Sequence, residues 1–403
     1  MNRRTLNFPS LFHLLLGAAT AATVALAAGC STQPVVAVSN EALAFDQAVV
    51  VATDALMQQT QTMSGLLAKV DAKLNKRAMV LDPTLDASTG EQTAATQLLD
   101  RTVTERITRN FSHIEVIPFD AANLSKAQYL LTGTLARAKG AYRIDLALVD
   151  TQGGTVAAQS SALARPDGVD MRPLAYYRDS PVMVKDKVVE GYVRTSRTAP
   201  GQKADAAYLE RIAAAAVIND ATILYNAQRY QEALDRYRSA LAMPAGAQIR
   251  VLNGIYLSTV KLGQAAEAEV AFGRLAAYGI ANNNLGVKFL FNPGSTDFWA
   301  DPKVTSAYGM WLRQIARQAG IAKVCMDIAG HTSKTGPEAV NDSLSLKRAL
   351  YIKQRLSAES LEVANRTRPQ GMGSRQNIVG SGTDDVEDAL DRRVEFTIVD
   401  CAR

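Results

Sequence analysis

The sequence predicts an α+β multidomain chain: an amino-terminal α+β domain, a helical spacer, and a carboxy-terminal domain with the element order β-α-β-α-β-β. Three observations carry this. The chain has 403 residues, room for two or three domains at roughly 100–200 residues each. Helix-period and strand-period segments follow one another over residues 42–165 and again over 284–403. Between them, from residue 204, the composition turns to alanine-rich helix. Hydrophobic residues make up 47% and charged residues 21%, a globular balance without long charge blocks.

Residues 1–29 read as a secretory leader. Arg3 and Arg4 precede the apolar run LFHLLLGAATAATVALAA, which ends in small residues. The junction Leu26-Ala27-Ala28-Gly29-Cys30 resembles a bacterial lipoprotein lipobox, with an ordinary cleavage site nearby as the alternative. The resemblance implies lipidation of Cys30, with residues 30–41 as a lipidated tether. Ser31 after the cysteine implies sorting to the outer membrane, facing the periplasm. Acyl chains contribute about 0.8 kcal/mol per buried CH₂, so several chains anchor firmly. The formal charge of +5 includes Arg3 and Arg4, and the mild surplus that remains does not argue for nucleic acid. Cys325 and Cys401 then form an even pair in an oxidising compartment, which reads as one disulfide, the alternative being two buried thiols.

Residues 42–77 carry apolar positions at helical spacing, among them Phe45, Val49, Leu56 and Val70. AMVLDPTLD (78–86) is a strand stopped by Pro83, and the segment around Leu98, Leu99, Val103 and Ile107 is a second helix. IEVIPFD follows as a strand. Three further strand-like runs come next, separated by turns at Ala138-Lys139-Gly140 and Gln152-Gly153-Gly154. The phrase YLLTGTL…YRIDLALVDTQGGTVAA resembles the periplasmic α/β domains of curli-secretion, flagellar-outer-membrane and penicillin-binding-protein-activator lipoproteins. Residues 166–203, proline-bearing and polar, read as an irregular connector or exposed loop.

AAVINDATILYNAQRYQEALDRYRSALAMP resembles a tetratricopeptide helix pair, with Ala221, Ala233, Tyr237 and Ala240 at the close-packing positions. Gly254, Ala268 and Phe272 offer a second copy, so 204–280 reads as a tetratricopeptide-like region. Two copies need a neighbour to pack on. Both a spacer and a groove for a partner peptide fit the pattern.

In residues 284–403, NLGVKFLFN, VCMDIAGHT, SRQNIV and RRVEFTIVDC read as strands. TSAYGMWLRQIARQAG and SLSLKRALYIKQRLSA read as helices. Asn341, Ser345 and Arg348 fall on one face of the second helix. KFLF, Gly330-His331-Thr332, the helix series Asn341, Leu344-Ser345 and Arg348-Ala349, Gly371 and Gly373, and Asp391-Arg392-Arg393-Val394-Glu395 stand in an order that resembles the OmpA-like peptidoglycan-binding domain.

The resemblance implies a site for the diaminopimelate-type stem peptide of peptidoglycan. It involves His331, Thr332, Ser333, Asn341, Ser345, Arg348, Arg392 and Arg393, with Arg348 on a ligand carboxylate. It also implies an aspartate for the ligand ammonium where this chain has Ser333. Three readings stay open: a modified or different wall peptide; weaker binding with Asp342, Asp384 or Asp385 replacing the charge; or a folded domain that has lost the ligand. No zinc spacing, catalytic triad, Walker motif or dinucleotide fingerprint appears, so no enzyme and no cofactor is expected. Peptidoglycan, the outer membrane through the lipid anchor, and an envelope protein are the expected partners. The expected function is tethering of membrane to wall. An adaptor for a secretion, flagellar or wall-synthesis machine is the alternative.

Overall fold

The first strands of the chain build one sheet covered on both faces. The structure, a computed structural model, describes residues 41–62, 76–380, 382 and 387–401. The leader, Cys30 and most of its tether, the far end of the first expected helix (63–75), and Asp384 and Asp385 lie outside the described residues.

Helix α1 (Phe45–Thr62) precedes strands β1 (Arg77–Leu81) and β2 (Leu85–Asp86). Helix α2 (Ala94–Asn110), β3 (Ile114–Ile117), the short α3 (Ala121–Leu124) and β4 (Tyr129–Ala138) follow, and β5 (Ala141–Asp150) and β6 (Thr155–Ala164) complete the set. The sheet order is β3-β1-β4-β5-β6, with β2 beside β4. β1 runs parallel to β3 and β4, whereas β4, β5 and β6 are antiparallel. Thr93 caps α2 through a reciprocal bond with Thr96, which satisfies two amides that have no partner within the helix. Gly140, at φ +81, closes the β4–β5 turn, a conformation that costs glycine little.

Phe45, Val49, Leu56, Leu99, Val103 and Ile107 fill one side against Leu131, Ile144 and Leu146. The other face carries Val80, Leu130, Val149 and Val156. With both faces covered, β4 is buried continuously from Tyr129 to Leu135 and β5 from Ile144 to Val149.

The second cover comes from residues read as an irregular connector. Helices α4 (Ala175–Arg178), α5 (Lys187–Thr195) and α6 (Ala206–Leu209) interrupt that stretch and its end. Val189, Tyr192 and Tyr208 pack under the sheet, while Tyr176 and Tyr177 enter a different core. The Tyr192 hydroxyl lies 2.9 Å from the Gly133 amide and 2.8 Å from the Pro83 carbonyl. A few scattered aromatics bury this segment, so no periodicity announces it.

Four longer helices follow: α7 (Ile212–Asn226), α8 (Tyr230–Leu241), α9 (Ile249–Lys261) and α10 (Ala265–Ala281). Ala221, Ala233, Tyr237, Ala240, Ala268 and Phe272 are all buried. Gly254 lets the Tyr237 ring lie on the α9 backbone, where an added Cβ would fall 2.4 Å from ring atoms. The Tyr237 hydroxyl pairs with Thr222 at 3.0 Å.

The same core continues into the carboxy-terminal region through Phe289, Trp311, Ile328, Ala349 and Phe396. Trp311 stacks on Phe272 and donates its Nε1–H to Tyr256 at 2.8 Å. That region comprises α11 (Pro302–Thr305), α12 (Tyr308–Ala322), β7 (Cys325–Gly330), α13 (Glu338–Glu359), α14 (Leu361–Asn365), β8 (Thr367–Gly371) and β9 (Val394–Val399). β7 is central, parallel to β8 and antiparallel to β9. Cys325 and Cys401 form a disulfide at the far end of β7 from its glycine.

Two strand expectations change here. NLGVKFLFN makes isolated bridges instead of a strand, with Leu285 opposite Phe396 and Lys288 opposite Val394. SRQNIV forms no strand, because the Asp391 carboxylate accepts the amides of Ile378, Val379 and Gly380. Those amides are taken from any ladder, and the strand that joins the sheet is Thr367–Gly371. No helix among the described residues is long and apolar enough to cross a membrane.

Candidate functional site

Two glycines end two parallel strands and let a helix cross them at contact distance. A Cβ on Gly330 would lie 2.0 Å from the Ser345 carbonyl, and one on Gly371 would lie 2.8 Å from Ser345 Oγ. Helix α13 therefore passes directly over the carboxyl ends of β7 and β8, the end of an α/β sheet where ligands collect. Ser345 fastens the arrangement: its hydroxyl donates to the Asp342 carbonyl and accepts the Gly373 amide, each at 2.9 Å. The two strand-end loops pair through Met372 N–H to Gly330 and Thr332 N–H to Gly373.

Arg348, one turn further along α13, is wholly buried. Its Nε donates to Ser295 O at 3.0 Å, Nη1 to His331 O at 2.9 Å and Nη2 to Asn292 O at 3.0 Å. The guanidinium also lies over the Phe291 ring, 5.2 Å from its centroid. One planar cation thus ties α13 to two backbone segments, 292–295 and the loop at His331, a task that needs the guanidinium fork. Asn341 donates to the Thr335 carbonyl at 3.2 Å and closes the loop after His331-Thr332-Ser333.

His331 is 1% exposed. Burial, and secondarily the Arg393 charge, lower its pKa to about 4, against the opposing pull of Glu395. The ring is therefore neutral at ordinary pH. Neither of its nitrogens has a hydrogen-bond partner among the described residues, and the same holds for Thr332 Oγ1 and Asn377 Oδ1. Asn377 Nδ2 donates to Thr332 O at 2.9 Å, so these unsatisfied groups share one neighbourhood beside the buried Ser333. Unpartnered buried polar atoms cost free energy and often mark a place where water or a ligand docks.

The structure brings together His331, Thr332, Ser333, Asn341, Ser345 and Arg348. Arg393 joins at the edge: its carbonyl accepts the His331 amide, and its Nε pairs with Glu395 at 2.6 Å. Arg392 faces the segment before α11, with Nε on Phe291 O at 3.2 Å and its guanidinium over Trp299. Asp342, one acid considered as a substitute near Ser333, is paired with Arg375 at 2.7 Å.

Sequence reasoning missed Asn292, Ser295, Asn377 and Arg375. The turn-forming string Asn292-Pro293-Gly294-Ser295 was the available signal for the first two, since it places a loop after KFLF. Among the described residues no group of His, Cys, Asp and Glu side chains is arranged to hold a metal.

Residues 290–390 match the OmpA family. No curated protein matches the chain. Among solved structures, the chain is similar to the peptidoglycan-associated lipoprotein from Burkholderia pseudomallei, at 22% identity and TM-score 0.24, over 28% of this chain and 88% of that one. It is also similar to the LpoB C-terminal domain from Salmonella enterica, at 13% identity and TM-score 0.21, over 30% of this chain and 98% of that one. The strand ends of β7 and β8, with Arg348 above them, lie within the matched stretch, and residues 290–390 are an OmpA-family domain.

Proposed function

We propose that this chain is an envelope protein that binds peptidoglycan non-covalently through the carboxyl ends of β7 and β8, and that a lipid on Cys30 ties it to the outer membrane. The observation that carries the reading is the OmpA-family match, which spans His331 through Arg348. The unsatisfied Thr332 Oγ1 and Asn377 Oδ1 beside Ser333 support a polar ligand there. A stem peptide supplies the carboxylates, amides and amine that such groups recognise.

In this reading Ser333 holds the amine end of the stem peptide through a neutral hydroxyl, which still accepts a hydrogen bond. Losing a charge-assisted bond weakens binding by about 1.5–3 kcal/mol, or one to two decades. Attachment at the membrane offsets this by raising the effective concentration of wall near the site. We further propose the division into leader 1–29, tether 30–41, α+β layer 42–165, connecting segment 166–203, tetratricopeptide-like helices 204–280 and wall-binding domain 284–403.

Calorimetric titration of the full chain in detergent with a soluble diaminopimelate-containing muropeptide tests the site. Saturable heat, lost in Thr332→Val with the fold intact by circular dichroism, is expected. Absence of heat at millimolar ligand in the natural chain contradicts the reading, whether or not Ser333→Asp binds.

A further inference from the structure

The segment that supplies two of Arg348's three carbonyl partners is itself held from the first sheet. Lys288 Nζ pairs with Glu91 at 2.9 Å, with the two side chains 7% and 2% exposed, and also approaches the Tyr177 carbonyl at 3.4 Å. Glu91 is rooted in the sheet: its carbonyl accepts the Asp86 amide, and the Ala87 amide bonds to Leu135 of β4.

On the other side, Lys288 opens a short run to Phe291, Asn292 and Ser295. The Phe291 amide bonds to Arg392 O, and Asn292 and Ser295 receive Arg348. The backbone around Lys288 is gripped as well: the Lys288 amide bonds to Pro181 O and the Met183 amide to Gly286 O, each at 2.7 Å. A buried ion pair of this kind fixes a register, because breaking it leaves a charge without water or a partner. Three residues separate Lys288 from Asn292, too few for slack between the pair and the carbonyls that orient the guanidinium.

We propose that Lys288 and Glu91 are positioning residues for the site at the ends of β7 and β8: the ion pair sets the 288–295 segment, that segment sets Arg348, and ligand affinity therefore depends on the turn of the first sheet that carries Glu91. This rests on the wall-binding reading for its ligand, though not for its geometry. By linkage, occupancy of the site and integrity of the Glu91 turn reinforce each other.

The test uses the full chain in detergent as wild type, Lys288→Met, and Lys288→Met with Glu91→Gln. Purified sacculi are the binding probe. Thermal midpoint and amide exchange at Phe291 and Trp299 are the further readouts, with Leu131 and Leu148 of the first sheet as reference amides. Lys288→Met is expected to weaken sacculus binding at least tenfold and to speed exchange at Phe291 and Trp299 at least tenfold relative to the reference amides. The double variant removes the orphaned carboxylate and regains thermal midpoint, yet its binding stays weak. A merely structural pair makes binding follow the midpoint, so recovery of both in the double variant overturns the proposal. If wild type does not bind sacculi, the wall reading fails and exchange alone decides: unchanged relative exchange at Phe291 and Trp299 overturns the coupling, and faster exchange sustains it.

Discussion

Replacing Arg348 by lysine keeps the charge and removes the fork. The guanidinium meets Ser295, His331 and Asn292 carbonyls at 3.0, 2.9 and 3.0 Å through three different nitrogens. A single ammonium nitrogen at the end of a flexible stem cannot occupy three such positions, so about two of the bonds are lost. Each charge-assisted bond is worth about 1.5–3 kcal/mol, which bounds the loss at about 3–6 kcal/mol. Asn292 and Ser295 are only half-buried, and water can recover part of it, so a destabilisation of about 3 kcal/mol is expected. With a urea slope of roughly 1–3 kcal/mol/M, the midpoint falls by about 1–3 M. Both tryptophans, Trp299 and Trp311, lie in this region, and their fluorescence follows its unfolding. An Arg348→Lys midpoint equal to wild type refutes the idea that the guanidinium holds the 292–295 segment and the His331 loop on α13.

Other perturbations report on separate parts of the chain. The disulfide closes a loop with a sequence separation of 76; chain entropy predicts that Cys325→Ser with Cys401→Ser loses about 4 kcal/mol in denaturant melts, and that reductant does the same to wild type but nothing to the variant. Gly330→Ala places a Cβ 2.0 Å from the Ser345 carbonyl, and since the Cβ is fixed to Cα and the carbonyl is backbone, about 3 kcal/mol or more of destabilisation is expected by the same melts. Burial raises Asp82 to about 6 and Asp100 to about 7. The folded state then binds more protons than the unfolded one, so these groups make stability fall as pH rises from about 4 to 7. His331, lowered to about 4, acts in the opposite sense and costs stability as pH falls from about 6.5 to 4. Asp82→Asn keeps an acceptor for the Tyr208 hydroxyl, which lies at 2.6 Å. It isolates the first contribution: stabilisation on the order of 3 kcal/mol at pH 8, vanishing near pH 4.

What could be read from the sequence follows the range of the forces involved. The strand ending in Gly330-His331-Thr332 and the face Asn341, Ser345, Arg348 were legible because local periodicity sets both. The small residues Ala221 and Gly254 were legible because close helix packing allows little else there. The strand role of SRQNIV was not, because a carboxylate twelve or more residues away, Asp391, captures the Ile378 and Val379 amides. The burial of 166–203 was hidden in isolated tyrosines, such as Tyr176 and Tyr192, with no repeat to reveal them. The Lys288–Glu91 pair joins residues 197 apart in sequence, a contact that no local pattern encodes. The internal duty of Arg348 was likewise missed, since its three carbonyl partners carry no side-chain signal.

The central claim is that this site holds the cell wall despite a serine where its resemblance implies an aspartate. Sedimentation of the full chain with purified sacculi over a concentration series, beside Ser333→Asp, tests it most directly. Wild type is expected to pellet saturably, and Ser333→Asp with about ten- to hundredfold higher affinity. A wild-type chain that stays in the supernatant throughout, while Ser333→Asp pellets, contradicts it.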